Sequence, residues 1–543
     1  MSKNILKNKR SCVFILLFVL GTSVWLGGCD TAYKYDITDG IDNNGASEPD
    51  ITIDTEGGID VSMYEKARIF PGLVDTAKEE RINATIELDL NKQYIDSITL
   101  GVSKVPQPIY STGLYAGAGE QVAITVEDNT MGLSVIVGSH MDDLTELAPY
   151  QRMPLVYVAK ALFPGKNIIK NPLGGPIWIK KSLGLKASGT CSLKIEGVYK
   201  SPDFVIGETD LQDWKRRISE TTVPWLEIRG KHFAFTVQKD RVLDNLESIS
   251  STLQEVGKEW DEAIEEFFFE YYGLKIDKDA EEKERAPEFP FRVVLDVQVL
   301  GNLYLRNSDY AIVAINNTYM LEEMLNLRTL RTGNSVALLS AINSMCTYRS
   351  RNNPWPADYR AAANAIPLYR IGKKNFLKEN AFGEIFPGEE NITTLFPKAI
   401  EYAMADSSKW AKEDAATKYD DKTAYKAFDL LSLIQLANYD NNNWEAMEYL
   451  NLKAKEERSI DNSTLSYVFR RLCDYFKQNL CPFFDYWGVE QLDEDRKYAE
   501  QYPLMDKKIW EYNPLNPQQV KDYDASSYCY RHSRRRSEER RVG

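Results

Sequence analysis

Leu243-Asp244-Asn245-Leu246-Glu247-Ser248-Ile249-Ser250-Ser251-Thr252-Leu253-Gln254-Glu255-Val256-Gly257-Lys258-Glu259-Trp260 is the stretch where the chain changes its period. Its apolar residues recur every three to four positions, and the rhythm runs on through Ile264, Phe267 and Tyr271. That spacing predicts a long amphipathic helix. Its acids, Glu259, Glu262, Glu265, Glu266 and Glu270, read as a solvated face and not as catalytic carboxylates. On the N-terminal side the pattern is short β-rich runs between turn signals: Val122 to Val126, Leu133 to Val137, Leu155 to Val158, Ile177 to Ile179, Cys191 to Val198 and Phe233 to Val237. Punctuated by Gly117, Gly119, Gly165, Gly174, Gly175 and Gly230, these predict an antiparallel sandwich. On the C-terminal side, Asp277 to Glu288, interrupted by Pro287, reads as a surface loop. One buried strand follows at Val293 to Leu300, and the rest to about Tyr512 is mostly helical, including Ala424 to Ala437 and Leu465 to Leu480. The fold class is therefore α+β: a β-sandwich-like N-terminal part followed by a larger, mainly helical domain.

The first residues argue for export. Lys3, Lys7, Lys9 and Arg10 precede an apolar run from Cys12 to Leu20, interrupted at Gly21, Thr22 and Ser23. A spanning helix needs roughly 20 apolar residues, so this run reads as a removable signal. Leu26-Gly27-Gly28-Cys29 then resembles the lipobox of bacterial lipoproteins, with Cys29 as the lipid attachment residue. The acidic, Asn- and Gly-rich segment Asp30 to Asp50 has little to bury and reads as a tether, similar to that of surface lipoproteins of the Bacteroides group. The expected location is the cell envelope, lipid-anchored on the outer membrane surface.

With 543 residues, 43% hydrophobic and 11% aromatic, the chain can fill two or more packed domains. A net charge of -14 argues against a nucleic-acid partner, which needs a concentrated basic surface. The basic run Arg531 to Arg541 matches nothing before it and reads as translated adaptor sequence at a truncated end. Beyond Cys12 and Cys29, the five cysteines imply no disulfide framework. Cys473 and Cys481, if joined by a helix, stand about 12 Å apart along its axis, too far for a disulfide.

Several landmarks fall in an order that carries a resemblance. They are Ser111-Thr112-Gly113-Leu114-Tyr115-Ala116-Gly117-Ala118-Gly119-Glu120; Val137-Gly138-Ser139-His140 with Asp142; Asn171-Pro172-Leu173-Gly174-Gly175; Gly230-Lys231-His232; and Phe483-Phe484-Asp485-Tyr486-Trp487-Gly488. Together they resemble the enhancin-like zinc metallopeptidases, a mucin- and glycoprotein-targeting family, over about Ile59 to Asn516. The resemblance implies zinc held by HExxH and a downstream Glu, with the motif's own Glu activating a metal-bound water. This chain has no HExxH, and its only histidines are His140, His232 and His532. Laid along the helix Asn334 to Thr347, the resemblance puts Ser340 and Ser344 where the zinc-binding His stand and Ala341 where the general base stands. Glu390, or Glu389 beside it, is the remnant of the third ligand.

Serine is a poor zinc ligand and alanine takes no proton, so hydrolysis by the family mechanism is expected to be absent and the zinc lost. Cys346 on the same helix reads as a core residue, because no Cys-His pair is visible. Two suitably placed carboxylates would suffice for a glycosidase, and 80 acids neither reveal nor exclude such a pair. Trp178, Trp225, Trp355, Trp410, Trp444 and Trp487 are candidates for stacking on sugars. Trp355 and Asn343 are the residues expected to touch a ligand. The expected organisation is a signal peptide at 1–28, a tether at 29–52, a β-rich region at 53–240, a helical peptidase-like domain with a degenerate zinc site at 241–516, and a truncated or artefactual tail at 517–543. The preferred reading is a surface lipoprotein that binds a glycoprotein or glycan without cleaving it. The alternative is an active hydrolase with a non-standard site.

Overall fold

The computed structural model describes residues 70–528 apart from 128–129, 186–187, 348–352, 357–358, 376–381, 383–384, 387–388, 405–425, 440–443, 458–463, 490 and 527. Cys29, the signal, the tether, Trp410, His532 and the basic tail lie outside the described residues.

Eight strands build the first sheet: β1 (Ile82–Asp89), β2 (Ile109–Ala116), β3 (Gln121–Val126), β4 (Leu133–Val137), β5 (Val158–Leu162), β6 (Gly165–Lys170), β7 (Gly175–Lys181) and β8 (Thr190–Lys200). They run in the order β5-β4-β7-β2-β8-β3-β6, with β1 also on β8, and every pairing is antiparallel. The link between the β7 and β3 sides is short, Leu114 facing Lys200 and Tyr115 facing Tyr199. Leu88, Val122, Ile124, Val135, Ile179 and Ile195 close a core of their own. This is the sandwich-like part expected from the alternation of apolar residues. The run Leu155 to Val158 is corrected: the strand starts at Val158 and continues to Leu162, while Leu155 is 53% exposed. Apolar content had suggested the strand too early.

A second sheet has six strands: β9 (Phe204–Val205), β10 (Trp225–Arg229), β11 (Phe233–Gln238), β12 (Phe291–Asp296), β13 (Leu305–Asn307) and β14 (Ile312–Ile315), in the order β13-β14-β12-β11-β10-β9. β12 lies parallel to both β11 and β14, and all six of its residues are buried. That is why it reads as one continuous apolar run. The strand ends at Asp296, not Leu300: the Gln298 N–H turns back to the Asp296 carboxylate and Leu300–Asn302 forms a helical turn. Phe233 pairs with Phe291 and Thr236 with Val294, so strands from either side of residue 240 share one sheet.

The stretch that changes period supplies the crossover that parallel neighbours require. Helix α1 (Leu246–Glu262) buries Ile249, Leu253, Val256 and Trp260, and a π-helical turn at Ala263–Phe269 continues it. The wider turn puts Phe267, Phe268 and Phe269 inside together. Trp260 Nε1 donates to Met324 O at 2.9 Å. Further helices include α2 (Val336–Cys346), α3 (Arg360–Lys374), α4 (Lys426–Ala437) and α5 (Leu465–Phe476). They join the second sheet in one core containing Phe235, Trp260, Leu295, Ile342, Ile366 and Leu431. α5 stops at Lys477, whose φ of +54° is left-handed, so no continuous helix joins Cys473 to Cys481; both are buried free thiols. Among the described residues no helix is long and apolar enough to cross a membrane.

Candidate functional site

α2 is where the resemblance places the chemistry, and its N-terminus is fixed by a carboxylate that the sequence does not advertise. Glu323, 1% exposed, accepts from the backbone N–H of Ala337 at 3.3 Å and of Leu338 at 2.9 Å. Ser335 Oγ donates to Glu323 O at 2.8 Å. Burial raises the Glu323 carboxyl pKa, and the two backbone donors oppose that shift. A negative group at this end also meets the positive end of the helix dipole.

Four residues apart, Ser340 and Ser344 share a face of α2. Ser340 is exposed, while Ser344 Oγ donates to Ala341 O at 2.7 Å and accepts from Asn307 Nδ2 at 2.9 Å. Asn307 also reaches Ala341 O at 3.3 Å, tying α2 to the edge strand β13. Ala341 offers only a methyl group. These residues do not fit a zinc ion: they supply no imidazole and no carboxylate, and one hydroxyl is already committed twice. Glu390 is exposed and paired with Lys398 at 2.7 Å. Glu389 accepts from the backbone N–H of Lys426 at 3.0 Å and of Ala427 at 3.3 Å, capping α4. Among the described residues, no group of three or more His, Cys, Asp or Glu is arranged to hold a metal.

The two described histidines are apart and differently employed. His140 is buried beside Phe70 and Trp225, with ring centroids 4.6 and 4.5 Å away. Its Nε2 meets Leu295 O at 3.0 Å, and burial lowers its pKa to about 4. His232 Nε2 meets Glu265 Oε1 at 2.5 Å, and burial also lowers its pKa. Glu265 is thus bound by His232 and Lys231, and Glu259 by Arg331 at 2.8 Å. The acids of the long helix are therefore only partly a solvated face, because neighbouring cations turn towards them.

The two residues expected to touch a ligand lie inside the fold. Asn343 is 2% exposed, its Nδ2 donating to Asn364 O and its Oδ1 accepting from Tyr272, each at 2.8 Å. A buried amide needs such partners, so it holds helices together. Trp355 is 4% exposed and borders two small cavities. Trp178, Trp225 and Trp487 are buried as well, and Trp444 is half-buried under Arg370. Cys346 is a core residue whose thiol pKa burial pushes up. Glu270 and Glu448 are carboxylates with pKa values raised by burial, but they stand around Arg370 and line none of the three cavities described here.

The landmark segments do converge. Asn171 Nδ2 donates to Val137 O, Val156 O and Gly174 O at 2.8, 3.1 and 3.0 Å, and Asn171 O accepts from Gly119 N at 2.7 Å. Gly175, with φ +136°, lies so close to Gly138 that an added Cβ would sit 2.6 Å from its Cα. Three of the quoted motifs are thus one backbone junction.

Comparison with known proteins agrees with this architecture. Residues 80–195 match the N-terminal domain of M60-like peptidases, and residues 197–333 match Peptidase M60, enhancin and enhancin-like. Residues 80–333 therefore carry, in order, the two domains of enhancin-like M60 peptidases. The match ends three residues before α2 begins. The M60 catalytic domain of ZmpC from Clostridium perfringens, solved with the sialyl T antigen, superposes with a TM-score of 0.59 at 16% identity, covering 81% of this chain and 84% of that one. A metallopeptidase in complex with Tn antigen gives a TM-score of 0.57 at 15% identity, covering 79% and 80%. Human TRPM8 channel-associated factor 2 is 27% identical over 384 residues, 70% of this chain. The chain spans only 37% of that relative's length.

Proposed function

We propose that this chain is a lipoprotein of the cell envelope, anchored through Cys29, whose M60-like module binds mucin-type glycoprotein without hydrolysing it. The reading rests on the sequence of α2, where the resemblance puts the family's two ligands and general base at Ser340, Ser344 and Ala341, none of which carries an imidazole or a carboxylate. Without an imidazole pair there is no Lewis acid to polarise a peptide carbonyl, and without the carboxylate nothing takes the proton from water. What remains for the module is recognition. Two solved relatives bound to the sialyl T and Tn antigens support glycan-bearing protein as the ligand class. The other reading, an altered hydrolase, needs an acid pair facing a cleft. Glu270 and Glu448, two carboxylates whose pKa values burial raises, do not supply one, being held around Arg370.

The test is a mucin-glycopeptide assay on the mature chain, reading binding and cleavage together. Binding with an intact glycopeptide is the expected result. Cleavage by the pure protein overturns the reading, and failure to bind any glycosylated peptide removes its ligand.

A further inference from the structure

A cavity between the two sheets' ends lies away from α2. It has a volume of about 600 Å³ and is walled by the ends of β1 and β2, the β10–β11 turn, the start of β12, α1 and the loop after Ile276. In the second sheet these are the strands beside the β9 edge, whereas Ser344 bonds to β13 at the opposite edge. The volume matches that of small-molecule sites, which favour junctions between packed units.

Its lining is mixed in a particular way. Six cationic side chains face four carboxylates, in a chain whose overall charge is -14. Among the described residues the Arg229 guanidinium makes no hydrogen bond: Asp203 and Glu227 stand off at 3.6 and 3.8 Å, and its buried Nε has no acceptor there. Arg292 beside it, 4% exposed, is braced by Glu227 at 2.7 Å and by Ser111 Oγ and Ile109 O at 2.8 and 2.9 Å, while its Nε also lacks an acceptor. A third lining arginine, Arg285, repeats the pattern at its Nε. Buried donors without acceptors are uncommon in folded chains, and a guanidinium fork matches a carboxylate in two parallel bonds. The opposite requirement is present too. Glu87, Glu208 and Glu288 offer acceptors that an anion alone would not use, but hydroxyl groups would, while Asp261 already accepts from the backbone N–H of Lys231 and His232. Tyr110 and Phe289, edge to face at 5.3 Å, add an apolar wall suited to a sugar ring.

We propose that this cavity binds a carboxylate-bearing sugar unit, its carboxylate on Arg229 and its hydroxyls on the surrounding acids. The site is independent of the reading of α2 and stands or falls without it. The experiment is calorimetric titration of the whole chain with three probes: the methyl glycoside of N-acetylneuraminic acid, glucuronic acid, and galactose as the neutral comparison. At least one acid is expected to bind with a Kd in the millimolar range or tighter, galactose at least tenfold more weakly, and which acid binds identifies the sugar class. Arg229→Gln is expected to weaken acid binding at least tenfold. Should Arg229→Gln fail to fold, Lys92→Glu at the half-buried rim is expected to weaken it in the same direction. No binding of either acid, galactose binding as tightly, or acid binding indifferent to whichever variant folds would each overturn the proposal.

Discussion

Two regions of this molecule carry the family likeness in opposite ways. At the junction of Gly119, Gly138, Asn171 and Gly175 the motif residues do backbone work: an amide serves three carbonyls, and two glycines let main chains touch. On the reading proposed above, α2 carries two serines and an alanine at the positions where the resemblance puts the family's chemistry, and the helix packs with its N-terminus held by Glu323 and its side tied to β13 through Asn307. The difference teaches that a scaffold and its chemistry can part company. Side chains that hold backbone together are needed for folding, whereas the side chains of a catalytic centre are needed only for the reaction.

The comparison breaks most readily at Gly175. Gly175→Ala forces a Cβ to 2.6 Å from Gly138 Cα at a φ reserved for glycine, and it is expected to destabilise the chain by about 3 kcal/mol or more. Urea unfolding checks this, and a loss under about 1 kcal/mol would show that the junction is not rigid. Asn171→Ala, which strips a donor from three carbonyls, is expected to lose about 2–4 kcal/mol in the same assay.

The helical half has its own titration. Burial, opposed by Arg370 and reinforced by Glu270, raises the Glu448 carboxyl pKa to about 7. Folded Glu448 then holds its proton more tightly than unfolded Glu448. Its contribution is fully present below the ordinary value of 4.5 and is lost as pH rises through about 7. With partial solvent screening the loss is about 1–2 kcal/mol. Glu448→Gln is expected to flatten stability between those two pH values, as read by unfolding at each pH. The smallest effects are expected on α2: Ser344→Ala about 1 kcal/mol, because Asn307 loses a partner, and exposed Ser340→Ala within about 0.5 kcal/mol. Equal losses at Ser340 and Asn171 would erase the distinction between the regions.

The sandwich was legible where strands were long enough to alternate: Leu133 to Val137 was expected as a strand and is one, and the runs at Val122, Ile177, Cys191 and Phe233 each lie inside a strand. The mixed sheet was not. β9 has two residues, β13 three and β14 four, too few to carry a period. The long helix was legible from its apolar rhythm, but not its π-helical turn, because three adjacent phenylalanines break no pattern of spacing. Of the candidate site, the absence of HExxH could be read directly. The burial of Asn343 and Trp355 could not, since it depends on partners such as Tyr272 and Asn364. The cavity around Arg229 escaped notice because its walls come from segments scattered between Glu87 and Arg292.

The central claim, a peptidase scaffold without its metal chemistry, is tested most directly by metal analysis of the purified mature chain after exposure to zinc and removal of the excess. The account predicts zinc far below one ion per chain. A stoichiometric, tightly held zinc ion would contradict it, because ligands other than histidines on α2 would then be holding the metal.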